Sequence, residues 1–176
     1  MNSYLKQLID IAANEVGVTE GNKDNTGTRV VEYQGASWLA PGAWPWCAAF
    51  TCWVMREWLE DEKVRDALKI GTFSQAEKWR CRDASAFGWD KWAAGKSTVH
   101  QIPPVQLALA GDFVVYEFSH IGLVIEDQKS ISGKIRTIEG NTHGQKDKDS
   151  EPVDGVWRKE RSPTLVKNYI RLFSEL

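Results

Sequence analysis

The spacing of apolar residues changes near residue 112, and this change limits the fold more than any other feature of the chain. Before it, apolar residues recur at helical spacing, as in the set Leu5, Leu8, Ile9, Ala12, Ala13 and Val16. After it come short β-rich segments separated by turn signals such as Ser132-Gly133. Helices followed by an antiparallel sheet form the α+β pattern. We therefore expect N-terminal helices packed on a C-terminal antiparallel sheet.

Capping and stop residues predict where the first helices lie. One helix is expected between an N-cap at Asn2 or Ser3 and a stop at Gly17. Residues 28–33 are expected to begin a short helix. Residues 47–60 carry an apolar stripe at helical spacing and are expected to form a longer one.

The stretch 61–108 is the hardest to interpret. Residues 72–75 resemble a capping box that opens a short helix ending near Arg80, and the rest is expected to be irregular covering structure. Strands are expected at 113–116, 121–126, 134–138 and 156–161. Periodicity leaves residues 165–173 open between a strand and a short helix.

Size and charge narrow the classes of function. A chain of 176 residues and 19.9 kDa fits one domain, residues 1–176, with an ordinary core. The net charge of −2 predicts no nucleic-acid partner, and no apolar run is long enough for membrane insertion. Residues 1–5 lack the basic region of a signal peptide, so we expect synthesis in the cytoplasm.

Cys47 is the first candidate catalytic residue. It lies at the predicted start of a helix, in the run Pro45-Trp46-Cys47-Ala48-Ala49-Phe50. Partial positive charge at a helix N-terminus favours a thiolate, although most free cysteines are small buried hydrophobes. Together with Cys52 and Cys81, it matches neither a disulfide framework nor a zinc-ligand spacing. We expect reduced, metal-free cysteines, with Cys52 in a structural role.

Three downstream residues could supply the partners of a cysteine nucleophile. His120 opens one predicted strand, and Glu139 and Asn141 lie two apart at the end of the next, so their side chains should project from one face. The hairpin between these strands would place the imidazole beside the carboxylate and the amide. Each residue taken singly has an ordinary structural explanation. Together they match the base and the orienting group of a Cys–His pair.

The segments that carry these residues resemble the CHAP amidohydrolases, within the papain-like NlpC-type group that cleaves peptidoglycan. The matching segments, in order and spacing, are 45–50, 110–116, 120–124 and 138–141. The resemblance implies a papain-like CHAP fold with Cys47 as nucleophile, His120 as general base and acid, and Glu139 as the orienting carboxylate. It also implies that Asn141 is a fourth polar site residue.

Five further residues are expected to contact the substrate. Trp38, Trp44 and Trp46 crowd the loop before the cysteine, where their rings would line the cleft; plain core packing is the alternative. Trp46 is a common choice in part of the family. Glu20 and Asn25 match positions at which related cell-wall enzymes often carry polar cleft residues.

The resemblance also raises the question of calcium, which some family members hold in an acidic loop before the nucleophile. Here residues 22–27 alternate like ligands, but only one carboxylate, that of Asp24, lies in the core of the loop. Tyr33 stands where a helix-loop-helix calcium site needs its bidentate glutamate. We expect no obligatory metal and no other cofactor.

The leading hypothesis is a cysteine amidohydrolase that acts on peptidoglycan. It leaves open whether the bond is the N-acetylmuramoyl-L-alanine amide or a stem-peptide or cross-bridge amide. Without an export signal, the enzyme would reach the cell wall as a phage or prophage lysin, a tail-associated enzyme or an injected antibacterial effector. Its partner would then be a lysis, tail or immunity protein, and we expect a monomer. The alternatives are a cytoplasmic amidase on a small γ-glutamyl or polyamine conjugate, and a catalytically silent glycan-binding module.

Overall fold

In the computed structural model, which describes residues 2–144 and 153–173, the helices come first and the sheet follows. The helices are α1 (Ser3–Ala13), α2 (Thr28–Gln34), α3 (Cys47–Trp58), α4 (Glu62–Ala67), α5 (Phe73–Trp79) and α6 (Ala86–Ala94). The strands are β1 (His100–Ile102), β2 (Phe113–Tyr116), β3 (His120–Val124), β4 (Ile135–His143), β5 (Asp154–Arg161) and β6 (Val166–Arg171). This arrangement confirms the predicted α+β class.

The strands of these ranges form one sheet in the order β1-β6-β2-β3-β4-β5, and each neighbouring pair is antiparallel. β2, β3, β4 and β5 are adjacent in space in the same order as in the chain. β6 comes back from the end of the chain to lie between β1 and β2. His120 therefore opens a strand in the interior of the sheet, next to the strand that carries Glu139, as the sequence predicts.

Two helices begin where their capping residues predict. The side chain of Asn2 accepts a hydrogen bond of 2.9 Å from the backbone N–H of Tyr4 at the start of α1. At α5, Thr72 and Gln75 cap each other reciprocally, which confirms the capping box. α1 ends at Ala13, before the predicted stop at Gly17, and that glycine adopts a left-handed φ of 97° in the following loop.

The prediction of irregular structure across most of 61–108 is wrong, because α4, α6 and β1 lie there. These elements are only 6, 9 and 3 residues long, too short to show a clear period in the sequence. Packing holds α6 in place, since the fully buried ring of Trp89 lies 4.6 Å from that of Phe113. Tertiary contacts therefore decide this part of the fold.

The predicted strands exist, but their ends differ. β4 runs on to His143, beyond the predicted end at residue 138, and β5 begins at Asp154. Residues 163–165 form a 3₁₀ turn, and the strand β6 follows it and pairs with both β1 and β2. The extension of β4 places Glu139 within a strand, where neighbours on both sides can fix its side chain.

α3 is the central helix of the core. Ten of its 12 residues are buried, and it packs against α1 and α2 on one side and β3 and β4 on the other. Gly140 on β4 permits a close approach, because a Cβ at that position would lie 2.7 Å from Cβ of Phe50 and 2.8 Å from the ring of Trp46. The start of α3 is thereby held directly against β4.

Candidate active site

Cys47 is the first residue of α3, so its backbone N–H has no acceptor within the helix. Its side chain is mostly enclosed, and the residue is 7% exposed. The preceding residue, Trp46, makes no side-chain cap hydrogen bond to the first turn. The position therefore supplies a backbone donor for an oxyanion.

His120 lies between Cys47 and Glu139. Its Nε2 is 2.9 Å from Oε2 of Glu139, and the thiol of Cys47 lies close enough to raise the pKa of the ring. Because Nε2 faces the carboxylate, Nδ1 is the nitrogen that remains for the sulfur. Burial lowers the pKa of His120, but the hydrogen bonds and charges of Cys47 and Glu139 outweigh burial and raise that pKa to about 9. The structure thus brings three of the sequence candidates together in series.

Glu139 is fully buried, and four side chains satisfy its carboxylate. Its Oε1 accepts hydrogen bonds from the hydroxyls of Tyr116 (3.1 Å) and Thr137 (2.7 Å). Arg161 donates to both oxygens, with a shortest contact of 2.5 Å from Nη2 to Oε2. Burial raises the pKa of Glu139, but His120 and Arg161 outweigh it and lower that pKa to about 2. The carboxylate is therefore ionised and oriented toward the imidazole.

A glycine makes room for this carboxylate. A Cβ on Gly122 of β3 would lie 2.7 Å from Cγ of Glu139, so a larger residue there would push the glutamate away from its partners. Gly122 lies two residues after His120 on the same strand, and therefore on the same face of the sheet. β3 therefore supplies both the histidine and the glycine that leaves room for Glu139.

Sequence reasoning missed the other groups around Glu139. Thr137 lies two residues before it on β4, so the alternation of a strand could have indicated this contact. Tyr116 lies opposite His120 in the β2–β3 pairing, which becomes visible only when the register is known. Arg161 comes from β5, and nothing in its local sequence signals its contact with a carboxylate on β4.

Asn141 hydrogen-bonds to the residue that precedes Cys47 at the start of α3. The β4–β5 register shifts between Glu139 and Thr142, and Asn141 has a left-handed φ of 53°. Its Oδ1 accepts a hydrogen bond of 3.0 Å from the backbone N–H of Trp46. The bulge interrupts the simple alternation of β4 at this point, and the proximity of Asn141 to the imidazole stays a prediction.

Glu20, Asn25 and Asn141 form a polar brace beneath the start of α3. Nδ2 of Asn141 donates to Oε1 of Glu20 (3.1 Å) and to Oδ1 of Asn25 (3.2 Å). Oε1 of Glu20 also accepts from Nε1 of Trp46, and its Oε2 accepts from the backbone N–H of Asn25, both at 2.7 Å. These contacts fix the residue that precedes Cys47. Contact of Glu20 and Asn25 with a substrate stays a prediction.

The three tryptophans of the preceding loop have different environments. Trp46 is fully buried, with its ring stacked on Tyr33 at 5.5 Å, so the prediction that it lines the cleft is wrong and core packing is its role. Trp44 is half-buried, and its Nε1 donates to the carbonyl of Ala40 at 2.9 Å. Trp38 is 71% exposed, and its ring is free to meet a ligand.

Phe118 covers the histidine and was also missed by sequence reasoning. It lies in the β2–β3 turn, is 50% exposed, and stacks on the ring of His120 at 5.7 Å and on that of Tyr116 at 5.2 Å. Cζ of Arg161 lies 5.8 Å from the centroid of the Phe118 ring. Phe118 therefore shields the His120–Glu139 pair from water, and a lower local dielectric strengthens that pair.

The described residues show no preformed metal centre. Within residues 2–144 and 153–173, no three His, Cys, Asp or Glu side chains lie close enough together to hold an ion. In the loop considered for calcium, the hydroxyl of Thr26 donates to the carbonyl of Lys23, and the backbone N–H of Asn25 donates to Glu20. These groups serve the structure of the loop itself. The absence of a cofactor stays a prediction.

Comparison with known proteins does not assign the site. No protein-family model matches this chain, and no curated protein matches it. Among the helices in the described ranges, none combines the length and the apolar character needed to cross a lipid bilayer. The function is therefore argued from the geometry around Cys47.

Proposed function

We propose that this protein is a cysteine amidohydrolase of the papain-like CHAP type that cleaves an amide bond of peptidoglycan. The observation that carries the proposal is the series Cys47–His120–Glu139, in which a helix-terminal thiol and a buried carboxylate share one imidazole. A thiolate–imidazolium pair provides both the nucleophile and the acid that amide cleavage needs.

The energetic cost of this arrangement supports a functional role. Burying Glu139 between His120 and Arg161 removes charged groups from water, and apolar side chains would fill the same space without that desolvation penalty. Buried charge clusters with strongly shifted pKa values concentrate at functional sites. A catalytically silent module would have no chemical need for the thiol at one end of the series.

In the first half of the reaction, the thiolate of Cys47 attacks the carbonyl carbon of the scissile amide. The backbone N–H of Cys47 donates to the oxygen that becomes negatively charged. Nδ1–H of the His120 imidazolium then protonates the departing nitrogen as the C–N bond breaks. The products of this half are a free amine and a thioester on Cys47, with His120 neutral.

In the second half, neutral His120 removes a proton from water, and the resulting hydroxide attacks the thioester carbonyl. The C–S bond breaks, the acid product leaves, and the thiolate–imidazolium pair is restored. Glu139 keeps its negative charge throughout and stabilises the imidazolium in each half. Arg161, Tyr116 and Thr137 hold this carboxylate in place.

Peptidoglycan is proposed as the substrate because the four segments that carry the site resemble those of wall-cleaving amidohydrolases. The chemistry above applies equally to the muramoyl–alanine amide and to a stem-peptide or cross-bridge amide. The enzyme would act on the wall after release or delivery, with a lysis, tail or immunity protein as its partner.

Digestion of purified sacculi tests the proposal. The wild-type protein should release soluble fragments, and Cys47→Ala should release none above background. Cys52→Ala is the matched control, because it removes a thiol from the same helix and should retain the activity. Mass spectrometry of the fragments would identify the new terminus and hence the bond. If Cys47→Ala still solubilises sacculi, the proposed mechanism is wrong.

A further inference from the structure

A groove on the α6 side of the molecule is separate from the Cys47–His120 series. Trp38, Arg82, Asp83, Lys91 and Trp92 line a concavity of about 540 Å³, here named the Trp38 groove. Its residues come from the loop after α2, from the segment after α5 and from α6. The sequence left Trp38 open between the catalytic cleft and core packing; in the structure it lines this concavity, whose described lining includes neither Cys47 nor His120.

The walls of the Trp38 groove are held in place before any ligand binds. The backbone N–H of Trp38 donates to the carbonyl of Arg82 at 2.8 Å, which fixes the base of the exposed ring. On the opposite wall, Nε1 of Trp92 donates to the carbonyl of Trp79 at 2.7 Å, and the two rings meet edge to face at 5.4 Å. Preorganised aromatic surfaces bind with a small loss of conformational entropy.

The charge of the groove selects for an anionic ligand. Arg82 and Lys91 are both exposed at its edge. Among the described residues that line the groove, the one carboxylate belongs to Asp83, which is turned toward the start of α6. Its Oδ1 accepts from the backbone N–H of Ser85 at 2.9 Å, and a Cβ on Gly88 would lie within 2.4 Å of the carboxylate atoms. The groove therefore combines the exposed indole of Trp38 and the half-buried indole of Trp92 with two exposed cations, while its carboxylate is engaged by the backbone.

The groove lies within reach of the proposed active site. The thiol of Cys52 donates to the carbonyl of Asp83 at 3.5 Å, so the segment that lines the groove touches α3. Cys52 is five residues after Cys47, which is about 7.5 Å along a helix. The loop that carries Trp38 continues directly to Trp46 and Cys47. The groove and the start of α3 are therefore connected both through Cys52 and along the loop that carries Trp38.

We infer that the Trp38 groove is a distal subsite for an acidic, sugar-containing strand of the wall polymer whose amide lies at Cys47. The indole faces of Trp38 and Trp92 pack on the apolar faces of sugar rings, and Arg82 and Lys91 pair with carboxylates of the attached peptides. This inference rests on the proposed function and adds to it a means of holding an insoluble substrate.

Binding of a Cys47→Ala protein to purified sacculi tests the inference without turnover. Adding Trp38→Ala should weaken binding about tenfold or more, and so should adding Arg82→Glu with Lys91→Glu. Val105→Ala and Lys129→Glu are matched controls on exposed residues outside the groove and should leave binding unchanged. Because Trp38 is 71% exposed, its removal should not unfold the protein.

Kinetics of the otherwise wild-type enzyme separate a distal subsite from a catalytic role. Trp38→Ala should raise KM for sacculi with little change in kcat, and it should leave cleavage of a short soluble muropeptide unchanged. An equal loss on both substrates would overturn the inference, and so would unchanged sacculus binding by Trp38→Ala. Binding of double-stranded DNA through Arg82 and Lys91 as tight as binding of sacculi would also overturn it.

The two proposals can fail separately. If the wild-type protein cleaves sacculi but the groove variants bind and cleave normally, only the distal subsite is wrong. If the wild-type protein does not cleave sacculi, but adding Trp38→Ala to the Cys47→Ala protein abolishes its binding to sacculi, the hydrolase proposal is wrong. Binding of the wall by the Trp38 groove is then still supported.

Discussion

Two cysteines on the same helix have opposite chemical surroundings. Cys47 and Cys52 both lie on α3 and both are buried, at 7% and 0% exposure. Cys47 begins the helix, and its thiol lies close enough to the imidazole of His120 to raise the pKa of that ring. Cys52 lies in the helix interior, donates to the carbonyl of Asp83, and has Cys81 as its neighbour. Burial, and then the contact with Cys81, raise the pKa of Cys52 well above its usual value.

The comparison shows that burial does not decide whether a cysteine reacts. What differs is the position along the helix and the charge of the nearest partner. In the interior of α3 each amide bonds within the helix, whereas at its start the amides face outward. Open amides at a helix start and a neighbouring imidazolium each favour a nucleophilic thiol, and Cys47 alone of the three cysteines has both beside it.

The largest expected effect comes from removing the charge behind the histidine. Glu139→Gln should lower hydrolysis of sacculi by about 10³-fold to 10⁴-fold, because the amide cannot stabilise the imidazolium. Cys47 should then come to resemble Cys52 in its slow reaction with iodoacetamide. Arg161→Lys is the matched variant, because it keeps a positive charge but loses the bidentate contact with Glu139. Its hydrolysis of sacculi should fall less than that of Glu139→Gln. Equal activity of Glu139→Gln and wild type would remove Glu139 from the mechanism.

Selective alkylation tests the contrast between the two cysteines directly. At pH 7, iodoacetamide should modify Cys47 at least about 100-fold faster than Cys52 or Cys81, because reaction requires an accessible thiolate. Peptide mapping by mass spectrometry after timed quenching gives the three rates. Comparable rates for Cys47 and Cys52 would show that the position at the helix start confers no special reactivity.

The polar brace should have an intermediate effect. Asn141→Ala removes the acceptor of the Trp46 N–H and the donor to Glu20, so the start of α3 loses its fixed position relative to β4. We expect kcat to fall about tenfold while thermal stability falls only slightly, measured by sacculus hydrolysis and by thermal unfolding. Asn141→Asp retains the acceptor but sets a second carboxylate against Oε1 of Glu20, so it should not restore the activity. If Asn141→Ala lowered the Tm but left kcat unchanged, Asn141 would have no part in positioning Cys47.

The pH dependence follows from the shifted groups. The folded-state pKa of His120 is about 9, above its unfolded value of 6.5, so its stabilising contribution is complete below pH 6.5 and is lost as the pH rises through 9. Glu139 has a folded-state pKa of about 2, below 4.5, so its contribution is present above pH 4.5 and is lost as the pH falls through 2. Hydrolysis should also decline above pH 9, because neutral His120 cannot protonate the leaving amine.

Thermal unfolding measured across this pH range checks the assignment. Tm should be highest between pH 4.5 and 6.5 and should fall on both sides. Glu139→Gln is the control, and its Tm should depend less on pH because both shifts involve the same ion pair. An identical pH profile for the two proteins would contradict this assignment of the charges.

The smallest effect is expected at the inert cysteine. Cys52→Ala should cost about 1 kcal/mol of unfolding free energy by leaving a small cavity, with kcat and KM unchanged. Chemical denaturation and sacculus hydrolysis provide the two measurements. A large loss of hydrolysis with the fold intact would make Cys52 part of the mechanism and would end the contrast with Cys47.

The sequence predicted those parts of the site whose signals lie within a few neighbouring residues. The thiol at a helix start, the histidine opening a strand and the glutamate on the next strand were all readable from short patterns. Asn141 was identified as a polar site residue, but its contact with the backbone N–H of Trp46 depends on a bulge that alternation alone cannot show. Trp46 was misplaced in the cleft for a similar reason, since the sequence does not say which of several neighbouring rings the core will take.

The sequence by itself determined the α+β class, the helix that begins at Cys47 and the adjacency of the strands bearing His120 and Glu139. Periodicity, capping and turn chemistry act over a few residues, and those residues are present in any conformation of the chain. Only the tertiary structure decided that Arg161 holds Glu139, that Phe118 covers His120 and that Trp38 belongs to a second groove. These contacts depend on strand register and on packing between distant segments, and their energies arise only once the chain has folded.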